Sequence, residues 1–494
     1  MTYQIKKAAV LGSGVMGSGI AAHLANIGIP TLLLDMVPRN LSDEDKANSK
    51  ARNQIAQGAL DKLLKQKPAP LASKKNLALL TAGNFEDDLD KLKDVDWIIE
   101  VIVENLEIKK GLYEKIDAVR KTGTIVSSNT SGISINAMAE GRSEDFQKHF
   151  LGTHFFNPPR YLKLLEVIPA TSTSTEVIEF MKEFGEDRLG KGVVIAKDTP
   201  NFIANRIGTY GLLVTLREML ARGYSVGEVD SVTGPAIGRP KSATFRTLDV
   251  VGLDTFGHVA KNVFDQTTGD EQKVFELPSM ITKMLENGWL GAKSGQGFFV
   301  KKGKEILELN PETMEYEPVK KLKTPSLEMA KQQKGLAAKV KTLTYSKDRT
   351  GELLWSILAP TLAYSAKLHG EIADDIVAID NAMKWGFGWE QGPFEIWDAI
   401  GVKDSVEKMK AEGLEIPAFA QNLLDQGFDS FYKEDNAETY FFNGQDYSAV
   451  PTNEKVINLK QFKKKHGVIK KNSGASLIDL GDGIALLEFH SQSN

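Results

Sequence analysis

The apolar positions of this chain fall into two regimes. Up to about residue 195, short apolar runs alternate with stretches of helical periodicity, the pattern of a parallel sheet with crossover helices. Runs at 8–11, 31–34, 96–104, 124–128, 150–156 and 164–168 read as strands. Between them, the polar segment 43–75 is rich in Lys, Gln and Ala. It reads as a long helix or helical hairpin ending at the Lys-Pro-Ala-Pro of 67–70. From Thr199 the periodicity turns helical and stays so, and a glycine-rich turn, KSGQGFF at 293–299, closes a second unit. Residues 303–348 are polar and lysine-rich and read as a connector, and a third helical unit starts near Arg349. These shifts predict an α/β nucleotide-binding domain over 1–196, a helical domain over 197–302, the connector, a second helical domain over 349–460, and a terminal segment over 461–494.

The second and third units share a pattern. With a one-residue gap, Asp230, Gly238, Phe245, Asp249 and Gly252 fall on Asp380, Gly388, Phe394, Asp398 and Gly401, which predicts a duplicated fold. Beyond them, Lys463, Lys464, Lys465, Lys470 and Lys471 form a basic linker. Residues 476–489 then read as a β-hairpin about a Gly-Asp-Gly turn. That apolar hairpin lacks the partner strands it needs to bury its face.

The most informative motif is AAVLGSGVMGSG at 8–19, where a strand run breaks into Gly12-x-Gly14-x-x-Gly17 and enters a helix. Such a turn needs glycine to bend, to admit a pyrophosphate close to the backbone, and to pack helix on strand. The helix N-terminus then faces the anion. Asp35 ends the second strand run, placed to accept from both ribose hydroxyls of an adenosine and to repel a 2′-phosphate. NAD is the ligand this pattern implies; FAD uses the same fingerprint, and glycine turns also occur for packing alone.

Composition narrows the classes. At 494 residues the chain should hold two to four domains. The net charge of −4 gives no reason to expect a nucleic-acid partner. There is no cysteine, which excludes disulfides, thiolate metal sites and a cysteine nucleophile, and fits a reducing cytoplasm. No apolar run reaches 18 residues, so no membrane span is expected, and the N-terminus enters a strand with no room for a signal peptide. No metal is expected.

Further polar groups gather in 127–168. His154 lies in one strand run and Glu166 in the next, twelve residues on. Adjacent strands would bring imidazole and carboxylate together, fixing the tautomer and leaving one nitrogen as a base, which a dehydrogenase needs to take a hydroxyl proton. A strand histidine on its own is more often structural; its place at the end of a cofactor-binding sheet favours the base.

SSNTSG (127–132), HFFNPP (154–159), LLEVI (164–168), KDTPNFIANRI (197–207), GLD (252–254) and KSGQGFF occur in a set order. In that order and spacing the chain resembles the 3-hydroxyacyl-CoA dehydrogenases of fatty-acid β-oxidation, over about residues 5–300. The third unit resembles a second copy of that family's C-terminal domain, and the terminal hairpin resembles the opening of an enoyl-CoA hydratase (crotonase) domain. The whole looks like the front of a bifunctional enzyme whose hydratase part is almost entirely absent, so dehydrogenase but not hydratase activity is expected.

The resemblance implies NAD as cofactor and an L-3-hydroxyacyl-CoA as substrate. It implies His154 as general base, Glu166 as its orienting carboxylate, Ser131 as hydrogen-bond donor to the substrate oxygen, and Asn205 as the residue steadying the 3-oxygen. Met16, Asp35, Glu104, Lys109 and Asn157 fall on positions near the dinucleotide, although Glu104 and Lys109 also read as a plain surface pair. Lys62, Lys65 and Lys67 lie on a segment resembling the family's CoA-contacting arm, where a solvated helix face is the competing reading. Gly132 departs from the usual second serine, and Arg160 stands in a stretch that is more apolar elsewhere in the family. Relatives with one helical unit cover its apolar face with a second subunit; here the third unit is expected to cover it within the chain, as an intrachain pseudo-dimer. Other β-oxidation enzymes are candidate partners. Two readings compete: a dehydrogenase of a free hydroxy acid, and a binding module that keeps the fold without turnover.

Overall fold

Eight strands build the sheet that the alternating runs predict: β1 (Ala8–Leu11), β2 (Thr31–Asp35), β3 (Leu80–Asn84), β4 (Trp97–Glu100), β5 (Ile125–Ser128), β6 (Phe150–Phe155), β7 (Leu164–Pro169) and β8 (Gly192–Ile195). Their order is β3-β2-β1-β4-β5-β6-β7-β8. The first six are parallel, β7 runs antiparallel to β6, and β8 parallel to β7. β1, β4 and β5 are buried on both faces, which is why they read as unbroken apolar runs rather than alternating ones. The strand order reverses between β1 and β4, and at such a switch point the carboxyl ends of the strands part to leave a crevice. β3 and β8 are short and lack a long apolar run, so the hydrophobic pattern does not reveal them.

The computed structural model describes residues 3–453 and 455–490. These divide into two compact units at Ile400–Gly401. The expected second helical domain, 349–460, therefore straddles this division. Within the first unit, segment 43–75 corrects its expectation. There is no long helix; a helix at Ser49–Arg52 and another at Gln54–Leu63 are separated at Asn53, and the second ends four residues short of Lys67. Alanine and lysine supplied the helical pattern, but within the helices only Ala56, Leu60 and Leu63 find a core to bury against, joined beyond them by Leu71.

Helix Ala204–Arg222 packs along helix Arg349–Lys367. Tyr210 stacks on Tyr364 with centroids 3.8 Å apart. Buried Arg206 donates to Tyr364 Oη at 2.9 Å and pairs with Glu271 at 2.7 Å and Glu371 at 2.9 Å. The expected connector 303–348 is folded. β9 (Phe299–Lys302), β10 (Glu305–Leu309) and β11 (Tyr316–Pro318) form an antiparallel meander, and helices follow at Pro325–Gln332 and Leu336–Thr344. Buried Glu308 on β10 accepts from the Gly227 and Lys320 amides and so ties the meander to the helical region.

The aligned pair Asp230 and Asp380 do the same local work. Asp230 accepts from the Thr244, Phe245 and Arg246 amides, and Asp380 from those of Phe394 and Glu395. Each carboxylate thus satisfies orphan donors at a helix start fourteen or so residues downstream. In the second unit, β12 (Tyr432–Asp435), β13 (Glu438–Phe442) and β14 (Tyr447–Ala449) make another three-stranded antiparallel meander. The start of the basic linker is a helix, Leu459–His466, whose Lys463 pairs with Glu488 at 2.7 Å. β15 (Lys470–Lys471), β16 (Ala475–Asp479) and β17 (Ala485–Phe489) follow, with β16 and β17 forming the expected hairpin and Leu487 and Phe489 exposed on it. Among the described residues, no helix is long and apolar enough to cross a membrane.

Candidate active site

The glycine turn leaves the carboxyl end of β1. Gly12 has φ +107°, and a Cβ there would lie 2.5 Å from the Val101 carbonyl oxygen; at Gly17 it would lie 1.9 Å from the Gly12 oxygen. The protein's own backbone excludes any side chain at both. Gly14 differs: a Cβ there would meet nothing within 4 Å. It precedes helix Val15–Asn26, which has no side-chain cap and no acid in its first turn. The turn is closed toward the sheet and open at a positive helix end, so the cradle fits a pyrophosphate. Met16 packs half-buried against the sheet core beside it. Asp35, at the end of β2, accepts from Ser13 N and Ser13 Oγ, both at 2.6 Å, through one oxygen and from Met36 N at 2.7 Å through the other. It braces the loop through Oδ2, and Oδ1, which accepts only from Met36 N, retains a lone pair for a ribose hydroxyl.

At the ends of β4 and β5 lies a buried network. Lys109 is 1% exposed and pairs with Glu100 at 2.6 Å and Glu104 at 3.1 Å. Glu104 accepts from Thr130 Oγ1 and from the Ser131 amide, both at 2.7 Å. Glu104 and Lys109 are therefore no surface pair: together they hold the loop that carries Ser131. Glu100 is the member that sequence reasoning missed. It is fully buried and accepts from Lys109, Tyr113 Oη, Ser128 Oγ and the Ile102 amide. The available signal was a carboxylate in the middle of the apolar run WIIEVI.

The β6–β7 register sets His154 opposite Glu166. His154 Nδ1 lies 2.6 Å from Glu166 Oε2, with the two side chains 5% and 0% exposed. Glu166 Oε1 accepts from the Ile203 and Ala204 amides at 3.2 and 2.8 Å. One carboxylate thus fixes both the imidazole and the start of the helix bearing Asn205. The chain reaches that point through Asn201 and Phe202 at φ +57° and +54°, a sharp reversal after Pro200. Since the carboxylate can only accept, neutral His154 carries its proton on Nδ1 and presents a lone pair at Nε2. Phe156 and Phe202 flank the ring at 4.5 and 5.7 Å.

The side chains of Ser131 and Asn205 make no hydrogen bond within the protein among the described residues, so both retain donors for a ligand. Asn157 is exposed at the end of the β6 run. Lys62 is exposed in the last turn of helix Gln54–Leu63, and Lys65 and Lys67 are exposed beyond it; nothing draws the three to the His154 pair. Arg160 donates to the Ala69 and Leu71 carbonyls at 2.7 and 3.0 Å, pinning the arm's end to the sheet. The departure at Gly132 has a steric cause, because a Cβ there would lie 2.3 Å from Asn201 Oδ1 and 2.6 Å from Asn262 Oδ1.

A doubly wound sheet with an open glycine cradle, an acid after its second strand and a buried His–Glu pair at the same carboxyl edge defines a dinucleotide-binding protein of the dehydrogenase class. Residues 7–199 match the NAD-binding domain of 3-hydroxyacyl-CoA dehydrogenase, and residues 202–301 match that enzyme's C-terminal domain. A probable 3-hydroxyacyl-CoA dehydrogenase of Bacillus subtilis is 63% identical over 500 residues; the match covers 100% of this chain and 63% of the relative's length. Another, from Deinococcus radiodurans, is 50% identical over 298 residues, covering 60% of this chain and 83% of the relative. The crystal structure of 3-hydroxybutyryl-CoA dehydrogenase from Escherichia coli shares the fold, with a TM-score of 0.62 at 23% identity over 86% of this chain and 99% of that one. The chain belongs to the 3-hydroxyacyl-CoA dehydrogenase family.

Proposed function

We propose that this chain oxidises the 3-hydroxyl of an L-3-hydroxyacyl-CoA to the 3-oxo group, a step of fatty-acid β-oxidation. When bound, NAD supplies the hydride acceptor. His154 takes the hydroxyl proton at Nε2, and the resulting imidazolium is held against Glu166 through Nδ1. The Ile203 and Ala204 amides keep Glu166 in place, so the charge that develops meets a carboxylate already oriented. Ser131 and Asn205 donate to the substrate oxygen from the two sides of the crevice. Gly12, Gly14, Met16, Gly17 and Asp35 seat the adenosine diphosphate half of the cofactor; Glu104, Lys109 and Asn157 shape its nicotinamide end, and Lys62 meets CoA phosphate. The observation that carries this reading is the buried His154–Glu166 pair at the edge that also holds the glycine cradle. The test is NADH formation from a 3-hydroxyacyl-CoA beside the free 3-hydroxy acid. Turnover of the CoA ester alone supports the reading, equal turnover of both favours a free-acid dehydrogenase, and turnover of neither favours a binding module.

We also infer that the region after Arg349 repeats the helical fold of 204–318. The matched Asp230 and Asp380 caps and the meander that follows each helical stretch support this. On this reading, helix Arg349–Lys367 occupies the face that a second subunit would otherwise cover, giving an intrachain pseudo-dimer.

A further inference from the structure

Arg239 lies in the loop after the short turn Pro235–Ile237 and is 9% exposed. Its Nε and Nη2 are buried and have no hydrogen-bond partner among the described residues. Its guanidinium carbon lies 4.2 Å from the centroid of the Trp389 ring. A ring face interacts with the guanidinium plane and leaves the N–H edge unserved. Burial pushes the Arg239 pKa down to about 10, still far above neutrality, so the cation persists. A buried charge with no counter-charge is strongly unfavourable, and native structures rarely leave one.

A cavity of about 20 Å³ adjoins it, walled by Gly208, Gly211, Ala243, Thr244, Thr247 and Phe387. No carboxylate lines it. The hydroxyls of Thr244 and Thr247 are already engaged with Thr233 and with Ser242 and Ala243. The volume admits one particle of about the size of a water molecule. Water there would serve the N–H groups but leave the charge standing; a halide ion does both and needs no donor of its own.

We propose that this cavity is a binding site for a single small monovalent anion, chloride in practice, held by Arg239 Nε–H and Nη2–H. Its position gives it a task. Gly208 and Gly211 lie one and two turns beyond Asn205 on the same helix, and a Cβ at Gly208 would lie 2.0 Å from the Phe387 ring. The Glu390 amide donates to the Gly238 carbonyl at 2.7 Å across the same contact. The anion neutralises the Arg239 charge held between that helix and the 387–390 turn.

Thermal unfolding in sodium chloride against sodium gluconate at equal ionic strength tests this, because gluconate cannot enter so small a cavity. Tm should rise by roughly 1–2 °C per tenfold increase in chloride once the site is titrating. Crystals soaked in bromide should show an anomalous peak within hydrogen-bond distance of Arg239 Nε. Arg239→Met should abolish the chloride-specific shift; if that variant does not fold, the two wild-type measurements decide. Equal melting in the two salts, or a cavity with no bromide signal, overturns the proposal.

Discussion

Two histidines are buried in the nucleotide-binding region, and their partners separate them. His23, on helix Val15–Asn26, sets Nε2 3.0 Å from the Leu189 carbonyl, leaves Nδ1 buried without a partner among the described residues, and has the Lys191 cation nearby. Burial first and Lys191 second push its pKa down to about 4. It is a neutral packing residue at physiological pH. His154 is buried to a similar degree but faces a carboxylate, and its outer nitrogen has no hydrogen-bond partner among the described residues. The two differ in what the imidazole faces: a backbone carbonyl in one, a buried carboxylate in the other.

The sharpest way to break the comparison is to remove the carboxylate. Glu166→Gln should lower turnover of a 3-hydroxyacyl-CoA by about a thousandfold, because the amide no longer fixes the tautomer or offsets the imidazolium charge. Steady-state kinetics beside NAD titration reads this; a loss of less than tenfold would make Glu166 a packing residue like the Leu189 carbonyl. Next comes Lys109→Met, which leaves Glu100 buried without its cation and should cost about 3–5 kcal/mol by denaturant unfolding. An unchanged midpoint would show the network to be dispensable.

His23 gives a pH test of its own. Its folded pKa lies below the unfolded value, so its contribution is whole above about pH 6.5 and is lost as pH falls toward 4, a change of about 3 kcal/mol. Gln can still donate to Leu189 and cannot be protonated, so His23→Gln should flatten that acid limb of the stability curve while leaving turnover near wild type. A mutant with the same acid limb would refute the assignment. The smallest effect is expected at Asp35, where substitution by Asn should relax discrimination against NADP by about tenfold in kcat/KM. Equal use of both cofactors by the unaltered protein would remove Asp35 from the specificity argument.

The site was legible where chemistry is local. Gly12 and Gly17 are demanded by contacts within the turn itself, and His154 and Glu166 sit on consecutive strands whose short connection fixes their register. What escaped was set by distant partners. Glu100 reads as one acid in an apolar run until helix Leu106–Val119 brings Lys109 and Tyr113 over it. The role of Arg160 depends on carbonyls about ninety residues earlier, and Glu308 in the folded 303–348 segment finds its partner in the Gly227 amide, far back in the chain. In segment 43–75, the helical periodicity was real, but among its helices only Gln54–Leu63 lies over the core.

The central claim, that His154 and not merely a buried imidazole accepts the proton, is tested most directly by His154→Gln against His23→Gln. Turnover of a 3-hydroxyacyl-CoA and the NAD dissociation constant should be measured on both variants. The account predicts a fall of about 10²–10⁴ in kcat for His154→Gln with NAD binding intact, and near-normal kcat for His23→Gln. Near-normal turnover in His154→Gln would contradict it.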